Sequence, residues 1–191
     1  MALKRITAPT VLPVSVAEAK AHLRVDTTDD DALITALIWD ATEAAEQNTG
    51  RVMTPQTWTL TLDEFPEALQ LTRPPVISVT SVAYVDLDGT SQTLAGSAYS
   101  LDTADDFGFA YIVPAYGTTW PDTRDQINAV TVVYQAGYAD AASVPAPIKQ
   151  WILLQVGAMF ENREAEVVGS GSAISLGYAD RLLDRYKVYS L

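Results

Sequence analysis

Cysteine is absent from all 191 residues, and histidine occurs once, at His22. The first absence excludes a disulfide framework, thiolate chemistry and any zinc site built on cysteine. The second leaves no imidazole pair for a two-histidine metal site, and an acyl-transfer triad would have to recruit His22 from inside a helical pattern. Basic residues are scarce as well: 12 Lys and Arg stand against 24 Asp and Glu, a net charge of −12. The deficit runs through both halves, with 13 acidic against 6 basic residues up to Ala95 and 11 against 6 beyond it. Tight electrostatic binding of nucleic acid displaces counterions with clustered cations, and this chain has no such cluster, so its surface should repel a duplex. No stretch reaches the roughly 18 apolar residues of a membrane span. Residues 1–13 lack the apolar run and small-residue cleavage site of a signal peptide. A soluble protein with no membrane partner is expected.

What is present suits one folded domain with a real core: 48% apolar and 19% charged residues. Ser15-Val16-Ala17-Glu18 is a capping box and opens a short helix to about Leu23. After the caps offered by Asp29-Asp30-Asp31, Leu33, Ile34, Leu37, Ile38, Ala41, Ala44 and Ala45 recur at helical spacing until Asn48-Thr49-Gly50. The period then turns to alternation. Strands are predicted at 57–62, 68–71, 76–85, 93–94, 99–101, 109–113 and 127–136, read as a meander. From Pro147 to Glu164 a proline-opened helix is apolar on nearly every face, which demands cover from its own domain or from neighbouring subunits. Val167 to Ala173 is a small-residue linker. The tail beyond it, 178–191, sets Leu182, Leu183 and Tyr186 on one helical face with little of its own to bury them, so it is expected to dock elsewhere.

The candidate chemistries are each better explained structurally. Asp29-Asp30-Asp31 splays around a helix start and caps it, where a cation site needs convergent carboxylates. Asp86-Leu87-Asp88-Gly89 lacks the carboxylate that a calcium loop requires six residues beyond its glycine, at Ala95, and reads as a hairpin turn. Gly169-Ser170-Gly171-Ser172 has neither the lysine nor the preceding strand of a phosphate loop. Trp58 and Trp151 fall in strand and helix patterns where packing is the ordinary fate, while Trp120-Pro121 in a loop has no assigned role.

Several segments carry a resemblance through their order and spacing: Val14 to Val25 followed by Asp29 to Ile34; Thr49-Gly50-Arg51; Gln56-Thr57-Trp58; Leu71 to Val76; Tyr134-Gln135-Ala136-Gly137-Tyr138; Pro147-Ile148-Lys149 through Glu164; and Leu182-Leu183 with Arg185-Tyr186. Together they resemble the head-tail connector, or adaptor, family of long-tailed bacteriophages and phage-derived particles. The resemblance implies a structural virion protein with no catalysis and no cofactor, made in the bacterial host cytoplasm. It implies a ring, typically a dodecamer, that sits beneath the portal protein, extends the DNA channel and offers a platform to a stopper or tail-completion protein. The implied fold is α+β: a small helical bundle, made of two N-terminal helices and one long apolar helix, with a β-rich insertion and a C-terminal docking arm. On this chain that gives a connector domain over 1–166, with helices about 15–24, 29–48 and 146–166 and the insertion about 56–136, then linker and arm over 167–191. Arg181, Leu182, Leu183, Arg185, Tyr186 and Tyr189 fall in the portal-docking arm, and Trp151, Leu154, Met159 and Phe160 in a subunit interface or the core.

The residues agree on separate grounds. An over-apolar helix suits packing around a closed ring, and an acidic channel wall lets DNA slide without holding it. The alternatives are another ring of the connector complex, namely a stopper or tail-completion protein, or an acidic carbohydrate-binding or hydrolytic module using the sheet aromatics. A DNA-packaging enzyme subunit would need the missing phosphate loop and basic surface.

Overall fold

A computed structural model of the chain describes residues 1–105, 108–162 and 178–188. The fold is α+β, with antiparallel sheets on one side and a helical bundle on the other. The first helix, α1 (Val16–Leu23), opens on the expected capping box: Glu18 N donates to Ser15 Oγ at 3.2 Å and Ser15 N donates to Glu18 Oε2 at 2.7 Å. The second, α2 (Asp31–Thr49), buries Ile34, Ile38, Ala41 and Ala45, one stripe at three- and four-residue spacing. It ends where Gly50 takes the left-handed conformation at φ 72° and its N–H reaches Glu46 O. The third, α3 (Ala146–Glu161), buries Ile148, Trp151, Ile152 and Val156 against that stripe. A short fourth helix, α4 (Tyr178–Asp184), adds Leu183 to the same cluster.

The sheets form the second core. The larger one combines β1 (Ala2–Thr7), β2 (Gln56–Leu62), β4 (Val76–Val85), β5 (Ser91–Thr93) and β8 (Val130–Ala136), in the order β1-β2-β8-β4-β5. The smaller combines β3 (Leu69–Leu71), β6 (Tyr99–Asp102) and β7 (Ala110–Pro114), in the order β3-β7-β6. Leu60, Leu69, Leu71, Val82, Ile112, Val130, Val132 and Tyr134 meet between them.

Two expectations are corrected here. The strands are not a meander: β8, the last in sequence, inserts between β2 and β4. Its Val130, Val132, Tyr134 and Ala136 face the core between the two sheets, and its main chain is hydrogen-bonded to β2 on one side and β4 on the other. The N-terminal segment, read only for targeting signals, forms the edge strand β1, whose exposed Lys4, Arg5 and Ile6 leave no buried alternation to recognise. The Asp29–Asp31 run also differs in detail: Asp30 stands at the N-cap without a side-chain cap bond, and Asp31 instead pairs with Lys20 Nζ at 2.7 Å. The glycine-serine linker and the expected extension of the apolar helix over 163–166 lie outside the described residues.

Candidate functional site

The junction between bundle, sheet and C-terminal arm concentrates the buried polar groups. Glu46, on the inner face of α2, accepts from Met53 N and from Gln56 Nε2, both at 2.8 Å, and so holds the chain as it leaves the bundle for the sheet. Burial pushes the Glu46 carboxyl above its ordinary value, while the Met53 N–H, the positive Arg5, the Gln56 amide and the positive Arg73 pull it back. Arg51, at 1% exposure, is the largest fully buried side chain among the described residues. Its Nε donates to Tyr186 O at 2.8 Å, and its guanidinium reaches the Tyr138 hydroxyl, which burial raises and Arg51 lowers. Arg51, Tyr138, Tyr186, Pro74 and Pro145 line an open cleft of about 400 Å³ at this junction. Gly137, at φ 123°, lets β8 turn back here, since a Cβ would collide with the backbone of Thr54 and Pro55.

The arm residues meet the bundle at this junction. Leu183 is buried in the helical core, Leu182 and Tyr186 pack against its edge, and Arg181 and Arg185 are exposed. Val188 N donates to Thr49 O at 2.8 Å, so the arm's end is tied to the α2 terminus beside Arg51. The tail's apolar stripe, expected to dock elsewhere, places Leu183 in the core of its own bundle and Leu182 and Tyr186 at that core's edge. A stripe too small to fold alone finds the open edge between α2 and α3, a long-range contact that spacing cannot reveal. Tyr189 lies outside the described residues.

The residues expected at a subunit interface or in the core separate by position on α3. Trp151 is 3% exposed, with Nε1 3.4 Å from Asp180 Oδ1 on α4. Met159 and Phe160 are half-buried against the bundle core. Leu154 is half-buried but is not among the residues packed on either core, and faces away from the stripe of Ile148, Ile152 and Val156.

The remaining candidates resolve into structure. Asp86 accepts from Asp88 N and Thr90 N and closes the β4–β5 hairpin, as its turn chemistry predicts. Trp120 stacks on Phe65 with ring centres 4.6 Å apart, and Arg73 lies 5.2 Å over the Trp58 ring. These aromatics serve one another, which weakens the saccharide-platform reading. Exposed His22 lies near Gly157 of α3. Among the described residues no three His, Cys, Asp or Glu side chains converge as a metal group would require, and no helix is long and apolar enough to cross a membrane. Glu46, which helical spacing places on the outer face of α2 with Asp40 and Glu43, is instead buried beneath the chain that leaves the helix for the sheet. The sequence assigns Arg51 no structural role, although it lies in the Thr49-Gly50-Arg51 segment, because its cover comes from residues distant in sequence.

Residues 13–89 match the family of phage gp6-like head-tail connector proteins. No curated protein matches the chain in sequence. Among solved structures, a chain from the neck of an empty gene transfer agent (GTA) particle computed with C6 symmetry superposes with a TM-score of 0.79 at 24% identity, covering 100% of this chain and 97% of that one. A chain from the neck of the native GTA particle computed with C12 symmetry gives 0.76 at 23% identity, with the same coverage. A chain from the virion of the native particle gives 0.78 at 23%, again with the same coverage. The resemblance read from the motifs is thus met on both counts: residues 13–89 fit the head-tail connector family, and the whole chain has the fold of a neck chain from these phage-like particles.

Proposed function

We propose that this protein is a structural head-tail connector, or adaptor, forming a ring beneath the portal protein, extending the DNA channel and providing the platform on which a stopper or tail-completion protein sits. The observation that carries this reading is the coincidence of a connector-family match over 13–89 with a neck-protein fold over the full chain. It acts by assembly, as part of the virion after synthesis in the host cytoplasm, and we assign it no catalytic step and no cofactor. The C12 and C6 symmetries of the neck structures support a ring, with a dodecamer as the expected number.

Each part of the molecule takes a role. The unit 1–166 is the connector domain, and Leu154, with the outer edges of Met159 and Phe160, is offered to the neighbouring subunit. The segment 167–191 is linker and arm: Leu183 seats it on the bundle, while Arg181, Arg185, the outer edges of Leu182 and Tyr186, and Tyr189 are offered to the portal. The net charge of −12 keeps the channel from holding the duplex.

Light scattering or native mass spectrometry of the protein alone and with its cognate portal ring tests this. A defined ring stoichiometry on the portal is expected. A monomer that ignores the portal would overturn the assignment in favour of a free-standing binding module.

A further inference from the structure

The sheet end farthest from the helical bundle carries two large apolar side chains facing solvent, Leu87 at 67% and Ile127 at 79% exposure. Single exposed leucines are common on protein surfaces and need no explanation; these two are built into one place. β4 and β8 are hydrogen-bonded neighbours with Tyr84 opposite Val130, so the turn after β4 and the loop before β8 lie side by side. Main-chain bonds join them: Arg124 N donates to Val85 O at 3.0 Å, and Val85 N to Ala129 O at 2.8 Å. Leu87 occupies the second position of the turn that Gly89 N closes by donating to Asp86 O at 2.9 Å. The turn is held firm because Asp86 accepts from Asp88 N at 3.1 Å, Thr90 N at 2.8 Å and Gln92 Nε2 at 2.8 Å. The other loop is anchored where Asn128 N donates to Asp63 Oδ1 at 2.8 Å. Beside them Phe65 stacks on Trp120 and meets the edge of Tyr84. Apolar groups presented on ordered turns lose little conformational freedom when a partner covers them.

The charges around this pair select the partner. Asp86 and Asp88 lie in the turn after β4, Asp122 and Asp125 with Arg124 in the loop before β8, and Asp63 and Glu64 in the β2–β3 connection that anchors that loop through Asn128. An acidic rim repels DNA, anionic lipid and the same surface of a second copy, and favours an apolar patch rimmed by Lys and Arg. We infer that this end of the five-stranded sheet is the docking surface for a different neck protein that offers such a basic-rimmed apolar patch. The inference rests on the connector reading and gives its platform a location. Gln56 and Ala136, paired at the opposite end of the sheet, connect back to α2 and on to α3, against which α4 packs. The two ends therefore provide two faces that do not overlap, as a protein joining two components requires.

Benzoyl-phenylalanine substituted for Ile127 in the full-length protein, photolysed in assembled particles, tests the surface. The expected adduct joins this chain to a different neck protein, on a peptide where apolar residues are flanked by Lys or Arg. The double variant L87S/I127S should melt as the wild type does and still join the portal, while capture of that neck protein falls by about ten-fold or more. An adduct to a second copy of this chain, or none above the unirradiated control in particles that contain the protein, overturns the inference. Absence of the protein from the particles overturns the connector reading as well, and is read separately from the particle composition.

Discussion

Leu183→Ala asks whether the C-terminal arm belongs to the core of its own subunit. Leu183 is 1% exposed and joins the cluster of Ile34, Ile38, Ile148, Trp151 and Ile152. Truncating a leucine so enclosed costs about 2–5 kcal/mol, the transfer term plus the cavity left behind. For a chain of this size each kcal/mol lowers Tm by about 2–4 °C. A fall of about 4–20 °C follows if the arm unfolds with the bundle. The arm is otherwise held at its end by the Arg51–Tyr186 and Val188–Thr49 hydrogen bonds, so it can also release locally, which caps the global loss. Urea unfolding followed by circular dichroism reads the first outcome. Hydrogen exchange of the Val188 amide, which donates to Thr49 O, reads the second. A stability change under about 0.5 kcal/mol together with unaltered Val188 protection would refute the placement of Leu183 in the core. Deleting 177–191 should likewise weaken the bundle as well as abolish portal binding, whereas a purely external arm would be lost without cost to the fold.

Trp151→Ala should cost about 3–5 kcal/mol in denaturant unfolding, because the indole is buried between α3 and α4; Leu154→Ala should cost far less in the isolated subunit but weaken the ring in native mass spectrometry. Glu46 has a folded pKa raised above its ordinary 4.5, so the folded state holds its proton more tightly, and that stabilisation is full below about pH 4.5 and lost as pH rises through the folded value. Glu46→Gln keeps an acceptor for Met53 N and Gln56 Nε2 and should flatten this part of the pH–stability curve. Glu46→Ala strands both donors and should cost about 1–3 kcal/mol at neutral pH. Gly137→Ala forces a side chain at φ 123° into the Thr54 carbonyl, and a marked loss of folded protein is expected, measured as soluble yield and Tm.

Local chemistry carried much of the architecture. The Ser15–Glu18 box, the Ile34–Ala45 stripe with its Gly50 stop, the proline-opened α3 and the Asp86–Gly89 hairpin depend on interactions within a few residues, and each is present where its pattern places it. Strand positions were legible for the same reason, but pairing was not, because alternation says which face is buried and nothing about which strand lies alongside. Hence β8 was placed at the end of a meander when it is the centre of the sheet, and β1, with no buried alternation, went unread.

The candidate site shows the same division. The apolar pattern of α3 and the family motifs pointed to assembly, and the acidic balance against nucleic-acid binding, without any knowledge of contacts, since composition and ordered segments survive in the linear chain. What the tertiary structure alone decided is which groups are covered. Arg51 is buried because Tyr138 and Tyr186 close over it from regions far apart in sequence, and Leu183 belongs to the core because α2 and α3 leave room for it. Leu87 and Ile127 share one end of the sheet because β4 and β8 are neighbours. Short-range hydrogen bonds and periodicity are written in the sequence; burial is a property of the whole chain closing on itself, and only the folded arrangement assigns it.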